Sequence, residues 1–190
     1  MQVSLESTGI HGVASKSLPS VDRVEPLALL TSSELEALYL RATVADSDFL
    51  AIAGHPRGRV LAVPGIDRAL VGDFVRRFQR SALYPWEGKS FTALDAREGR
   101  GINRFRYPVR RGWFPFRTGL DRSRVDDRPC IAIDYDVPDN PWLVRGIYDE
   151  LRALGNGLYL GRGGIRRAGT KLPSLVLWFL VDTRTHDRAL

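Results

Sequence analysis

Apolar positions along the chain show two textures, helical spacing up to about residue 81 and short alternating runs from Trp86 onward. Residues 1–24 are polar, rich in Ser and Gly and without sustained periodicity, and read as a mobile tail ahead of one domain over 25–190. In Thr31-Ser-Ser33-Glu-Leu-Glu36-Ala-Leu-Tyr39, Ser33 and Glu36 have capping-box spacing and Leu35, Leu38 and Tyr39 share a face. That predicts a helix near 33–42. Gly54-His-Pro-Arg-Gly58-Arg-Val60-Leu-Ala-Val63-Pro64 predicts a turn and a brief strand ended by proline. Ile66, Leu70, Phe74 and Phe78 recur every four residues beside Val71 and Val75, with Asp67 in the first turn and Arg76, Arg77 and Arg80 in the last. This predicts a second helix near 66–81, whose regular apolar rows call for a broad surface such as a sheet or the mouth of a barrel. A third helix is predicted near 141–154, from Asn140 as N-cap and Pro141 at the first position, through Trp142, Ile147, Leu151 and Leu154, to Gly155 and Gly157.

The second texture consists of short runs rich in aromatic and β-branched residues, separated by Gly, Pro and Asp. They begin at Trp86, Gly101, Gly112, Cys130, Gly157 and Leu175. Several alternate polar with apolar, as antiparallel strands do when one face is wet. Six or seven such strands in about a hundred residues predict an α+β, mainly β chain, with a sandwich or up-and-down antiparallel barrel and two or three accessory helices. The last run, Leu175 to Val181, is apolar on both faces and needs a helix or a second copy of the chain to cover it.

Composition narrows the function classes. The chain has 190 residues, 44% hydrophobic and 26% charged, ordinary for a globular domain. Its longest apolar stretch has seven residues, Leu175 to Val181, against roughly 20 for a membrane span, so no membrane insertion is expected. No apolar core of a signal peptide occurs in the first twenty residues, and the expected compartment is the cytoplasm. Net charge is +6, and the bases are almost all arginine, with a band of them between Arg97 and Arg128. A solvated face explains that band most simply; an anionic ligand, a carrier protein or nucleic acid is the alternative. Cys130 begins an apolar strand and reads as a small buried hydrophobe.

Motifs of established chemistry are missing: no Walker loop, no His-Glu-x-x-His, no Gly-x-Ser-x-Gly and no paired-cysteine spacing, so neither cofactor nor metal is expected. Gly155-Asn-Gly157-Leu-Tyr-Leu-Gly161 has helix before strand, the reverse of a dinucleotide fingerprint, and reads as a helix stop. His55, in a Gly-His-Pro turn, is a candidate base or ligand without an evident partner. In Cys130-Ile-Ala-Ile-Asp134-Tyr-Asp136, Ile131, Ile133 and Tyr135 share one strand face and Asp134 and Asp136 the other. Inside a barrel the two acids would shift each other's pKa toward acid–base use; outside, which is favoured, they pair with arginines. Asp149 and Glu150, on the predicted third helix, read as a surface network with Arg145 and Arg152.

Trp86-Glu-Gly-Lys89-Ser-Phe91 places a bulky ring, a glycine and a base at the start of a strand. There the ring can plug a barrel's end and the cation stack over an aromatic face. This element resembles the W-x-G-K-x-F element of small bacterial proteins of the GxWxG type, and more loosely the Gly-x-Trp opening strand of lipocalins and fatty-acid-binding proteins. Gly54-His-Pro-Arg-Gly58-Arg59 is similar to the upstream Gly-x-x-x-Gly-Arg element of the GxWxG proteins, without its tryptophan. The resemblance implies a lipocalin-like (calycin) barrel with a cavity for an apolar small molecule.

Three functions follow. The first is binding of a hydrophobic or amphipathic small molecule, with Trp86, Lys89, Phe91, Arg104, Phe105, Tyr107 and Trp178 as candidate contacts and Arg104 or Lys89 answering a ligand carboxylate. The second is a cofactor-free isomerase or cyclase acting on a polyketide- or terpenoid-like intermediate by orientation, with Asp134, Asp136, Tyr135 and Tyr159 as candidate catalytic groups. The third, disfavoured by the modest charge excess, is nucleic-acid binding through the bases and aromatics of Arg104 to Trp113.

Overall fold

A computed structural model describes residues 24–65, 85–106 and 109–187. The expected tail, the helix expected over 66–81 and Tyr107 lie outside these residues. Three short helices lead the chain, α1 (Val24–Leu27), α2 (Ser32–Arg41) and α3 (Asp46–Ala51). Eight strands follow: β1 (Pro56–Ala62), β2 (Trp86–Ala93), β3 (Glu98–Phe105), β4 (Arg111–Arg122), β5 (Pro129–Asp134), β6 (Ile147–Gly155), β7 (Leu158–Ile165) and β8 (Ser174–His186). One more helical turn, α4 (Trp142–Arg145), precedes β6. Each strand pairs antiparallel with the next, and β1 pairs with β8, so the sheet closes into the expected antiparallel barrel. Odd-numbered strands run toward one end, the mouth, and even-numbered strands return from it.

Alternation sorts the side chains. Phe91, Phe116, Ile131, Ile133, Leu151 and Val181 point inward and fill the half of the barrel away from the mouth. Phe49 and Ile52, from α3 and the residue capping it, join this cluster and close that end. Close packing there needs glycine: a Cβ on Gly161 would stand 2.3 Å from the Phe179 ring, its partner in the β7–β8 ladder. On the outside, Trp178, Leu158, Leu160 and Leu180 meet Leu27, Leu35, Leu38 and Tyr39 of α1 and α2. Trp178 donates to Ser32 Oγ at 2.9 Å. The two apolar faces of β8 thus serve two layers of one chain, the barrel interior and the helical cover.

Two helix expectations change. The cap of α2 is Thr31, whose hydroxyl accepts from the Glu34 amide at 3.3 Å while Glu34 Oε2 accepts from the Thr31 amide at 2.9 Å. The box therefore begins two residues before the one expected at Ser33 and Glu36. The helix expected over 141–154 is only the single turn α4, and Ile147–Gly155 is strand β6. The apolar spacing there fits both periods: Ile147, Asp149, Leu151 and Ala153 face one side at period two, and one acid among them hid the alternation. Pairing with β5 and β7 on both edges outweighs the local helical preference.

Candidate functional site in the mouth half of the barrel

Above its packed half the barrel is hollow. A cavity of about 280 Å³ lies between the walls of the mouth half. It is near the lower end of small-molecule sites, which span about 300–1,000 Å³. Trp86, Phe105, Phe114, Ile147, Leu177 and Phe179 give it an apolar wall. Ile165 and Val176 line it too and are 44% and 38% exposed, so the cavity reaches the surface at the mouth.

The floor is polar and buried. Lys89 (β2), Asn103 (β3), Asp149 (β6) and, just past β5, Tyr135 point inward to one place. The Lys89 ammonium donates to Asp149 Oδ2 at 3.1 Å, to Asn103 Oδ1 at 3.0 Å and to the Tyr135 hydroxyl. Its three donors are thereby used. Asn103 Nδ2 donates to the Tyr135 hydroxyl at 2.9 Å, and Trp86 Nε1 to Asn103 Oδ1 at 3.2 Å. Rings of Tyr135, Phe179, Phe116 and Trp86 surround the Lys89 ammonium, with centroids 5.0–5.7 Å away. Burial pushes the Lys89 ammonium's pKa down and the Asp149 carboxyl's up, and in each case the partner's charge opposes the shift. Burial likewise pushes Tyr135 well up, so its hydroxyl stays protonated.

Trp86 and Lys89 hold their places because of the two glycine elements read in the sequence. β1 and β2 pair at Arg57 and Gly88, and Gly54 exchanges two backbone hydrogen bonds of 2.9 Å with Phe91. Gly88, at φ +142°, lies so close to Gly58 that a Cβ on it would stand 2.6 Å from the Gly58 nitrogen. A Cβ on Gly58 would meet the Trp86 ring at 2.5 Å. The glycines let the indole lie against β1, and a register shift between Trp86 and Gly88 turns both Trp86 and Lys89 inward.

Of the expected ligand contacts, the structure brings Trp86, Lys89 and Phe105 to the cavity. Phe91 is inward but sits in the packed half, against Phe116. Arg104 and Trp178 are corrections. Arg104 is fully buried on the outside of β3, where it donates to the Pro56 carbonyl at 2.8 Å and pairs with Asp187 at 3.0 Å. Trp178 lies under α2. Alternation places both opposite the lining residues Phe105, Leu177 and Phe179. The same alternation splits the Arg104-to-Trp113 stretch, turning Phe105 into the barrel and Arg104 out of it.

Of the expected catalytic groups, Tyr135 alone reaches the floor. Asp134 and Asp136 are outside, as the favoured reading had it, Asp134 paired with Arg166 at 2.8 Å and Asp136 with Arg145 at 2.6 Å. The Arg145 hydrogen bond holds the Asp136 carboxyl below its usual range. Tyr159 is inward at the closed end, donating to Asp48 Oδ1 at 3.2 Å, and does not meet the cavity. His55 contacts the Ser90 hydroxyl at 2.9 Å and lies outside the cavity lining. Cys130 is buried, as expected, and burial pushes its thiol well up. Among the described residues no group of three metal-ligating side chains is present.

The sequence reading missed Asn103 and Asp149. The apolar spacing predicts a helix at Asp149; on a strand, its place between Ile147 and Leu151 at period two is the signal that reveals it. Glu150, the next residue, points outward and is buried as well, accepting from Tyr39 at 2.7 Å, Ser123 at 2.6 Å and the Arg124 amide at 2.7 Å.

No family model and no curated protein sequence matches the chain. Among solved structures it is similar to a protein from Thermomonospora curvata, known from its crystal structure. The two are 15% identical, with a TM-score of 0.48, over 80% of this chain and 88% of that one.

Proposed function

We propose that the barrel binds one small, largely apolar and uncharged molecule in its mouth half, as a lipocalin-like carrier. The observation that carries this reading is a cavity with an apolar wall over a floor whose charges already cancel. Asp149 neutralises Lys89 in a desolvated place, so a ligand carboxylate would add a second anion beside a single cation, at a large desolvation cost. The expectation that Lys89 answers a carboxylate is therefore replaced by a narrower one. The Lys89 donors are spent on the floor itself, so a ligand carbonyl or hydroxyl oxygen accepts from the Tyr135 hydroxyl, whose contacts to Asn103 Oδ1 and Asp149 Oδ2 are long at 3.3 and 3.4 Å. The remaining ligand atoms contact rings and aliphatic side chains. The contact between the Gly54–Arg59 and Trp86–Phe91 elements supports the resemblance to the GxWxG type.

A second reading keeps the cavity and adds turnover. Tyr135, Lys89 and Asp149 share hydrogen-bonded protons at one end of an apolar pocket, an arrangement that suits cofactor-free isomerisation of a carbonyl compound. Recovery of the bound molecule unchanged after incubation supports the carrier; conversion to an isomer supports the enzyme.

Titration with the uncharged fluorophore N-phenyl-1-naphthylamine tests the site. Saturable binding of one probe per chain is expected, displaced better by decanol than by decanoate. Ile165→Trp, which places an indole in the cavity's mouth, weakens binding at least tenfold with the melting temperature kept. Absence of saturable binding, or equal binding by Ile165→Trp, contradicts the proposal.

A further inference from the structure

Exposed large apolar side chains are unevenly distributed over the barrel. Trp142 and Leu143, on α4, are 79% and 66% exposed. Val109 in the β3–β4 turn and Leu172 in the β7–β8 loop are exposed as well, and so is Trp113 at the start of β4. All stand at the mouth. At the opposite end, Leu94 and, on α3, Leu50 are exposed, and on the helical cover Leu29 and Leu40, single leucines without an aromatic among them.

Charge follows the same division. Of the mouth's four loops, 63–85, 106–110, 135–146 and 166–173, the described residues, which leave out 66–84 and 107–108, hold six bases against two acids, Asp136 and Asp139. The opposite loops, 94–97, 123–128 and 156–157, hold three bases and three acids. Asp136 is taken up by Arg145, and the strand residues Glu87 and Asp134 take up Arg106, Arg110 and Arg166. Arg111, Arg167 and Lys171 remain exposed, with no carboxylate in ion-pair reach among the described residues.

We infer that the mouth is a peripheral docking surface for an anionic phospholipid bilayer. Indole and leucine side chains ringed by arginine suit the boundary between headgroups and acyl chains, and the basic excess complements a negative surface. The apolar rim is continuous with the cavity through Ile165 and Val176, which belong to both. A mouth set on the bilayer would open the cavity toward hydrocarbon, without any segment spanning the membrane. A protein partner or a second copy of the chain would use the apolar rim but has no need of the uncompensated bases.

Vesicle co-sedimentation of the full chain tests this without any cavity ligand. Vesicles of phosphatidylcholine alone are compared with vesicles of three parts phosphatidylcholine to one part phosphatidylglycerol, at low and at 0.5 M salt. The expected result is at least tenfold tighter binding to the anionic vesicles at low salt, most of it lost at high salt. The double variant Trp142→Glu with Leu143→Glu is expected to lose at least tenfold, and Arg167→Glu with Lys171→Glu to remove the preference for anionic lipid. Both pairs are exposed, and both variants should keep the barrel's circular dichroism and N-phenyl-1-naphthylamine titration. Binding equal on both vesicle types, absence of binding at low salt, or a light-scattering dimer that the Trp142 and Leu143 variant dissociates would overturn the inference.

Discussion

Asp149 and Glu150 are neighbours in β6 and point to opposite sides of the barrel wall, and both are buried. Glu150 collects three hydrogen-bond donors and fastens α2 and the β4–β5 loop to the wall. Asp149 faces a cation instead, and that pair forms part of the cavity's floor. Removing one member of a buried pair is costlier than replacing both. Lys89→Met alone and Asp149→Leu alone are each expected to lower unfolding free energy by about 3 kcal/mol, and the double variant by clearly less than their sum. Additive losses in denaturant titration would show that the pair is not coupled. Lys89 was legible in the sequence because its tryptophan, glycine and phenylalanine neighbours form a motif. Asp149 was not, since a lone acid in an ambiguous apolar pattern carries no local sign of its partner 60 residues away.

At the scale of elements, the strands from Trp86 to Phe105 and at the C-terminus were legible through alternation and flanking glycines. β6 was not, because ladder pairing with β5 and β7, which is non-local, decides it. That strand also anchors the outer layer. Arg152, fully buried, pairs with Asp126 of the β4–β5 loop and lies 4.4 Å from the centre of the Tyr39 ring on α2. Its hydrogen bond holds the Asp126 carboxyl below its ordinary range. The folded pKa is thus below the unfolded value of about 3.9, so the stabilisation is complete above that value and disappears as pH falls through the folded pKa. Asp126→Asn is expected to cost about 2 kcal/mol at pH 7, with the difference from the native chain narrowing as the pH falls below about 4. A difference unchanged between pH 7 and pH 3 would contradict this assignment.

Taken whole, the molecule is a closed barrel of two halves. One is filled by its own side chains and stoppered by α3, and the other is hollow, with an apolar and basic rim. That it is an antiparallel sandwich or barrel was readable from the number and spacing of alternating runs, and the resemblance carried by Trp86 to Phe91 pointed to the barrel; the closing β1–β8 ladder is non-local and left no sign of its own. Where it is hollow was not, because the cavity depends on which inward positions carry glycine and which carry rings, and on the bulge that turns Trp86 and Lys89 inward together. Diffraction from a crystal under xenon pressure tests the division into halves most directly, since xenon settles in apolar voids and not in close-packed interiors. The account predicts xenon density between the Lys89 floor and the Ile165 and Val176 rim, with none among Phe116, Ile131 and Val181. A mouth half without xenon, or xenon in the half closed by α3, would contradict it.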